Sequence, residues 1–178
     1  MNTRREWLQG GAVALSLTAM GAAPGRLLAQ STSAPLAAAP AIGERVAWPV
    51  VHLLDGSPVE PPSPGQWASV IIFFSTTCPF CARHNAHVQK LMAMTRNLPL
   101  RVLALAQDRN EAHVRTYLQR RSLTFDVSMD HGPMRAALAR MNGVPLTCAV
   151  DRQQRLREVI RGEMFEQDVL GLTKWART

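Results

Sequence analysis

The apolar run Ser69 to Ser75, followed almost at once by Cys78-Pro79-Phe80-Cys81, restricts this chain more than any other feature. Val70-Ile71-Ile72-Phe73-Phe74 is apolar without alternation, the pattern of a central strand covered on both faces. From Pro79 the spacing changes. Val88, Leu91, Met92 and Thr95 fall on one side of a predicted helix that Asn97 and Pro99 end. Pro79 suits the first helical position, where a missing N–H costs nothing. Two sulfurs therefore stand where a strand hands over to a helix N-terminus, whose unpaired N–H groups and partial positive charge favour a thiolate. Cys78 takes most of that field, and Cys81, one turn inside, takes less.

The remaining segments supply a sheet and its covering helices. Arg45 to Leu54, then Asp55-Gly56 and Ser57-Pro58-Val59, predict two short strands joined by a tight turn. Leu100 to Ala106 predicts a second central strand. Asn110 is placed to cap a helix with Val114, Tyr117 and Leu118 on its apolar face. A short extended piece, Phe125 to Met129, precedes a helix starting at Pro133 that buries Met134, Leu138 and Met141 and closes at Asn142-Gly143. Leu146–Val150 and Leu156–Ile160 predict a hairpin whose turn, Asp151 to Gln154, lacks the expected glycine, and Met164 to Trp175, with Phe165 among its apolar residues, predicts the last helix.

With 178 residues, of which 47% are apolar and 19% charged, the chain suits one ordinary core with appendages. Its N-terminus reads as an export signal over residues 1–29: Arg4 and Arg5 precede an uncharged stretch to Gly25, and Leu27-Leu28-Ala29 precedes a polar change. Thr3-Arg4-Arg5-Glu6-Trp7-Leu8-Gln9 resembles the twin-arginine translocation motif. Residues 30–42, rich in Ala, Pro and Ser, read as a tether. The formal charge of +7 falls to +5 once the signal's three Arg and one Glu are removed, and the basic residues are scattered without interleaved aromatics, so no nucleic-acid surface is expected. Membrane attachment would come through an uncleaved signal alone. An exported, oxidising address also suits a cysteine pair that handles disulfides.

This order of elements, with Cys78-Pro79-Phe80-Cys81 and the downstream Gly143-Val144-Pro145-Leu146-Thr147, resembles the thioredoxin superfamily and, within it, the exported TlpA-like and ResA-like proteins. The resemblance runs from about Ile42 to the C-terminus. It implies an α/β, thioredoxin-like fold over residues 43–178: a central mixed β-sheet flanked by helices, with an N-terminal β-hairpin extension. It implies that Val144-Pro145 is cis and faces the cysteines, so that the Val144 backbone can bond an extended substrate segment, with Pro79 and Phe80 beside it. It implies a thiol:disulfide oxidoreductase of the periplasm that needs no cofactor or metal, in which Cys78 forms a mixed disulfide and Cys81 resolves it. Partners would be protein substrates with cysteine pairs and a membrane or periplasmic redox partner.

Two positions depart from the pattern. Ile72 stands where thioredoxins often carry a buried acid, and His84 where the ResA-like branch often has Glu, so the base for Cys81 is unassigned. His84 is a candidate proton carrier; read otherwise it is a solvated helix-face residue like His87 and His113. Arg83 reads as a solvated charge that could favour a Cys78 thiolate, and Cys148 as an inert core thiol. The direction favoured is reduction of substrates. The alternatives carried are a DsbA-like oxidase or isomerase, a peroxiredoxin-like peroxidase using Ser75, and an assembly factor holding metal on Cys78, Cys81 and His84.

Overall fold

The structure, a computed structural model, describes residues 39–139 and 141–178; the proposed signal and most of the tether lie outside them. Its centre is the predicted apolar run. Strand β3 (Ala68–Phe74) is buried at every position and pairs in parallel with β4 (Leu100–Ala106), Ala68 opposite Leu100 and Phe74 opposite Ala106. β4 pairs in parallel with β5 (Asp126–Ser128), while β6 (Leu146–Val150) runs antiparallel to β3 and β7 (Leu156–Arg161) antiparallel to β6. The mixed sheet has the order β5-β4-β3-β6-β7, and β1 (Val51–His52) and β2 (Pro58–Val59) form the separate antiparallel hairpin.

The lack of alternation in β3 has its cause in two cores. Val70, Ile72 and Phe74 pack on one face with Val88 and Leu91 of α1 (Pro79–Met94), Val114 and Tyr117 of α2 (Glu111–Arg120), and Val169 of α4 (Glu166–Gly171). Ile71 and Phe73 pack on the other with Met134 and Leu138 of α3 (His131–Leu138) and with Val51 and Val59 of the hairpin. Each fully buried Val, Ile or Phe stabilises the fold by roughly 1.5–3 kcal/mol, and this strand contributes such residues to both layers.

Helix boundaries shift from the predicted ones for local reasons. α1 starts at Pro79, with Cys78 as its N-cap, and stops at Met94, where Thr95 caps it through its own N–H and hydroxyl on the Leu91 and Met92 carbonyls, short of the predicted Asn97. Asn110 caps α2 as expected, its side chain accepting from Ala112 N–H at 2.9 Å. α3 ends at Leu138, so Gly143 (φ 97°) serves the turn into β6 instead of closing the helix, and Met141 is only half-buried. The last predicted helix divides into α4 and a 3₁₀ segment, Leu172–Arg177, and Phe165, placed among its apolar residues, stands 76% exposed.

The segment that enters the fold is tied to the far edge of the sheet. Gly43 N–H donates to Leu156 O at 2.7 Å, Leu156 N–H to Glu44 O at 2.9 Å and Val46 N–H to Gln154 O at 2.9 Å, stitching the entry segment to β7 and the turn before it. Upstream, Ala41 N–H is bonded by the Glu44 carboxylate. Among the described residues no helix is long and apolar enough to cross a membrane.

Candidate active site

Parallel pairing of β3 and β4 brings both C-terminal ends to one edge of the sheet, and the site is assembled there. After Phe74 the chain turns through Ser75-Thr76-Thr77, and Gln107 N–H, just past β4, closes on Phe74 O at 2.9 Å. Asp108 then reaches across to this turn: its carboxylate accepts from Thr76 N–H at 3.0 Å and from the Thr76 hydroxyl. The cysteine loop is thereby tied to β4. A carboxylate more than thirty residues away from Thr76 leaves no local signal in the sequence.

Cys78 is half-buried and caps α1, its sulfur accepting from Cys81 N–H at 3.3 Å. Across the site the Val144–Pro145 peptide bond is cis, and Cys78 Sγ lies 3.8 Å from Val144 O. Pro79 and Phe80 are exposed on the lip, Phe80 at 55%. Arg83 lies over the Phe80 ring, 5.1 Å from its centroid, and grips Glu163 with two bonds of 2.7 and 2.6 Å. It is therefore a paired and stacked group rather than a free surface charge.

Cys81 is fully buried behind Cys78. Burial, followed by its contact with Cys78, pushes its thiol well above the ordinary range, and repulsion from Asp108 adds to the rise. Cys81 therefore keeps its proton in the resting dithiol. Cys148, which faces Ile71 and Val159 in the sheet, is also fully buried, and burial pushes it up to about 12. It packs as the inert core thiol the sequence suggests.

His84 is the largest departure from expectation. It is fully buried, not solvated, with Nδ1 accepting from Met164 N–H at 3.3 Å and Nε2 3.0 Å from Thr147 Oγ1. Since a backbone N–H can only donate, Nδ1 carries the lone pair and Nε2 the proton, which it gives to the threonine hydroxyl. Both nitrogens are thus occupied. Burial, assisted by His87, lowers its pKa to about 4, so the ring is neutral at pH 7. Thr147 lies two residues beyond Pro145, so His84 pins the cysteine helix to the strand that carries the cis bond. The signal was present in the helix phase: Cys81, His84, Asn85, Val88 and Leu91 form one buried stripe of α1, polar members included.

His87 is half-buried against Met164 O at 3.2 Å, and Ser75 Oγ lies 3.1 Å from Thr77 Oγ1. Among the described residues no three His, Cys, Asp or Glu side chains converge in a metal-binding arrangement. A second cation that sequence patterns do not single out lies behind the cis bond. Arg135 stacks on Phe73 at 4.4 Å, donates to Met141 O and, at 3.4 Å, to Gly143 O, and so braces the loop leading to Val144.

No family model matches the chain. Among curated proteins it is similar to the thiol-disulfide oxidoreductase ResA of Halalkalibacterium halodurans, 24% identical over 127 residues, or 71% of this chain and 72% of ResA. Among solved structures, a thiol:disulfide interchange protein of the thioredoxin family from Chlorobium tepidum superposes with a TM-score of 0.67 at 19% identity, covering 79% of this chain and 100% of its own. StoA from Bacillus subtilis superposes with a TM-score of 0.60 at 14% identity, covering 70% and 94%. Fold, curated relative and a cysteine pair at the strand-to-helix junction agree: the chain has a thioredoxin-like fold and is similar to the thiol:disulfide oxidoreductases that share it.

Proposed function

We propose that the protein exchanges disulfides with cysteine pairs of other proteins in the periplasm, through Cys78 and Cys81, and that it works as a reductant. The observation that carries this reading is the half-buried Cys78 sulfur at the N-terminus of α1, facing the Val144 backbone, with Cys81 buried one turn behind. A Cys78 thiolate attacks one sulfur of a substrate disulfide; a new S–S bond forms and the other substrate sulfur leaves with the electron pair. Cys81, once deprotonated, attacks Cys78 and releases the second substrate sulfur. The substrate gains two electrons and two protons, and the protein is left as the Cys78–Cys81 disulfide. Val144, with Pro145, Pro79 and Phe80, offers an extended segment backbone bonds and an apolar lip.

The resemblance to the TlpA-like and ResA-like proteins favours the reducing direction, and the raised pKa of Cys81 keeps the resolving sulfur protonated in the resting dithiol. The N-terminal motif around Arg4 and Arg5 supports export by a twin-arginine route, with cleavage after Ala29. His84, with both nitrogens engaged and its proton affinity depressed, is read here as a positioning residue and not as the base for Cys81.

A Cys81→Ser variant expressed in the native cell tests the reading. It should accumulate mixed disulfides on Cys78 that vanish on adding Cys78→Ala; a complete absence of them would count against exchange with proteins. The potential of the Cys78–Cys81 couple tests the direction. A value near about −270 mV, as in thioredoxin, supports a reductant, and one near about −120 mV, as in DsbA, an oxidant.

A further inference from the structure

We propose that an open basic pocket beside the cysteine loop takes acidic side chains that flank the cysteine pair of the protein substrate. The inference rests on the reading of Cys78 and Cys81 as an exchange centre for proteins. The pocket, of about 600 Å³, is lined by Thr76, His113, Thr116, Tyr117, Arg120 and Arg121. Thr76 joins it to the chemistry, since it lies two residues before Cys78 in the turn that Asp108 holds. A substrate chain lying over Cys78 needs only a few residues, at about 3.3 Å each when extended, to reach the α2 wall.

Two guanidinium groups of that wall have no ion-pair partner among the described residues. Glu111 is bound to Arg115 on the same helix at 2.7 Å, and the Asp108 carboxylate is occupied by Thr76. The Tyr117 hydroxyl accepts from the buried Asn85 amide at 3.2 Å and so points inward. Arg120 and Arg121 are both exposed, and among the described residues neither has a carboxylate partner. Arg121 lies 5.2 Å from the centroid of the Tyr117 ring, which holds one guanidinium at the pocket wall before any ligand arrives. A guanidinium accepts a carboxylate through two parallel bonds, and a preformed one loses less freedom on binding. A nucleic acid is a poorer fit, because the one aromatic face in the pocket is covered by Arg121 and offers no stacking platform.

Three synthetic peptides with the same intramolecular disulfide, flanked by Glu, Ser or Lys, test the proposal with the full protein. In low salt the Glu peptide should exchange about ten times faster per unit concentration than the Ser peptide, and the advantage should shrink at high salt. The double variant Arg120→Glu/Arg121→Glu should reverse the order in favour of the Lys peptide, which simple loss of folding cannot do. The Glu peptide with both cysteines replaced by Ser should still shift backbone amide resonances of α2 and Thr76 in NMR spectra. Equal exchange of all three peptides by the unaltered protein would overturn the pocket while leaving disulfide exchange intact. Binding of the Ser-substituted peptide at α2 without exchange of any peptide would overturn the exchange reading and leave the pocket standing; absence of both would overturn both.

Discussion

At the scale of single residues, His84 shows why a polar side chain in a core is hard to read from a chain alone. A histidine three residues past Cys81 suggests proton transfer, because spacing brings it near and its ordinary pKa suits the task. Tertiary contacts decide otherwise. Burial removes solvation, Thr147 and Met164 take both nitrogens, and the ring becomes a neutral pin between α1, β6 and the approach to α4. This has a measurable cost in acid. The unfolded chain binds the imidazole proton near 6.5, whereas folded His84 holds it only below about 4. Between those values the unfolded state carries more protons, so stability is full above about 6.5 and falls as the pH drops towards 4. Each pKa unit corresponds to 1.36 kcal/mol, so the loss should be roughly 2–3 kcal/mol. Other groups of the protein take up protons over the same range, so the quantity to measure is the difference between the native protein and His84→Gln in urea unfolding at pH 7 and pH 4.5. The native protein should lose that extra stability and the variant should not; parallel losses would show that His84 is not the group responsible.

At the scale of elements, what the sequence made legible was the order and type of the segments, because β3, β6 and most of β4 are buried on both faces and read as largely apolar runs, broken only at Ser69, Arg101 and Thr147. The cysteines were legible for the same reason: their strand and helix flank them directly. What stayed hidden depends on partners distant in the chain, as with Asp108 on Thr76 and Arg135 on the Gly143 carbonyl. The turn between β6 and β7 is a case in which the missing glycine has a substitute. Gln154 takes the left-handed conformation, φ 63°, and the fully buried Asp151 carboxylate supports it by accepting from Gln153 N–H and Arg155 N–H at 2.9 Å each and from Arg157 Nε at 2.6 Å. Removing that carboxylate strands two backbone donors and a guanidinium. Asp151→Ala should therefore cost about 2–4 kcal/mol, and Asp151→Asn, which can still accept from the turn, about half as much. Equilibrium denaturation with an unchanged m-value would check this. A cost below about 0.5 kcal/mol for the alanine variant would mean that the turn is held by the strand pairing alone.

At the scale of the whole molecule, the direction of electron flow becomes a question of stability. The folded protein and its two redox states close a thermodynamic cycle: whatever makes the Cys78–Cys81 disulfide easy to reduce must stabilise the folded dithiol relative to the folded disulfide, by about 1.4 kcal/mol for each 30 mV. In this chain the buried partner resists ionisation, since Cys81 is enclosed by the apolar face that Ile72, Phe74 and Val88 also share, and the buried acid typical of thioredoxin is replaced by Ile72. A thiolate on Cys81 therefore adds nothing to the stability of the folded dithiol. If the protein is a reductant, the oxidised form is the more stable of the two, and its thermal midpoint should exceed that of the reduced protein by several degrees, at roughly 2–4 °C per kcal/mol for a domain approaching 150 residues. The comparison needs no substrate: the same preparation is oxidised or fully reduced, and each is melted at one pH and concentration. A reduced form that melts higher than the oxidised one would place the couple with the strong oxidants and reverse the proposed direction, while leaving the cysteine pair and its neighbours in their roles.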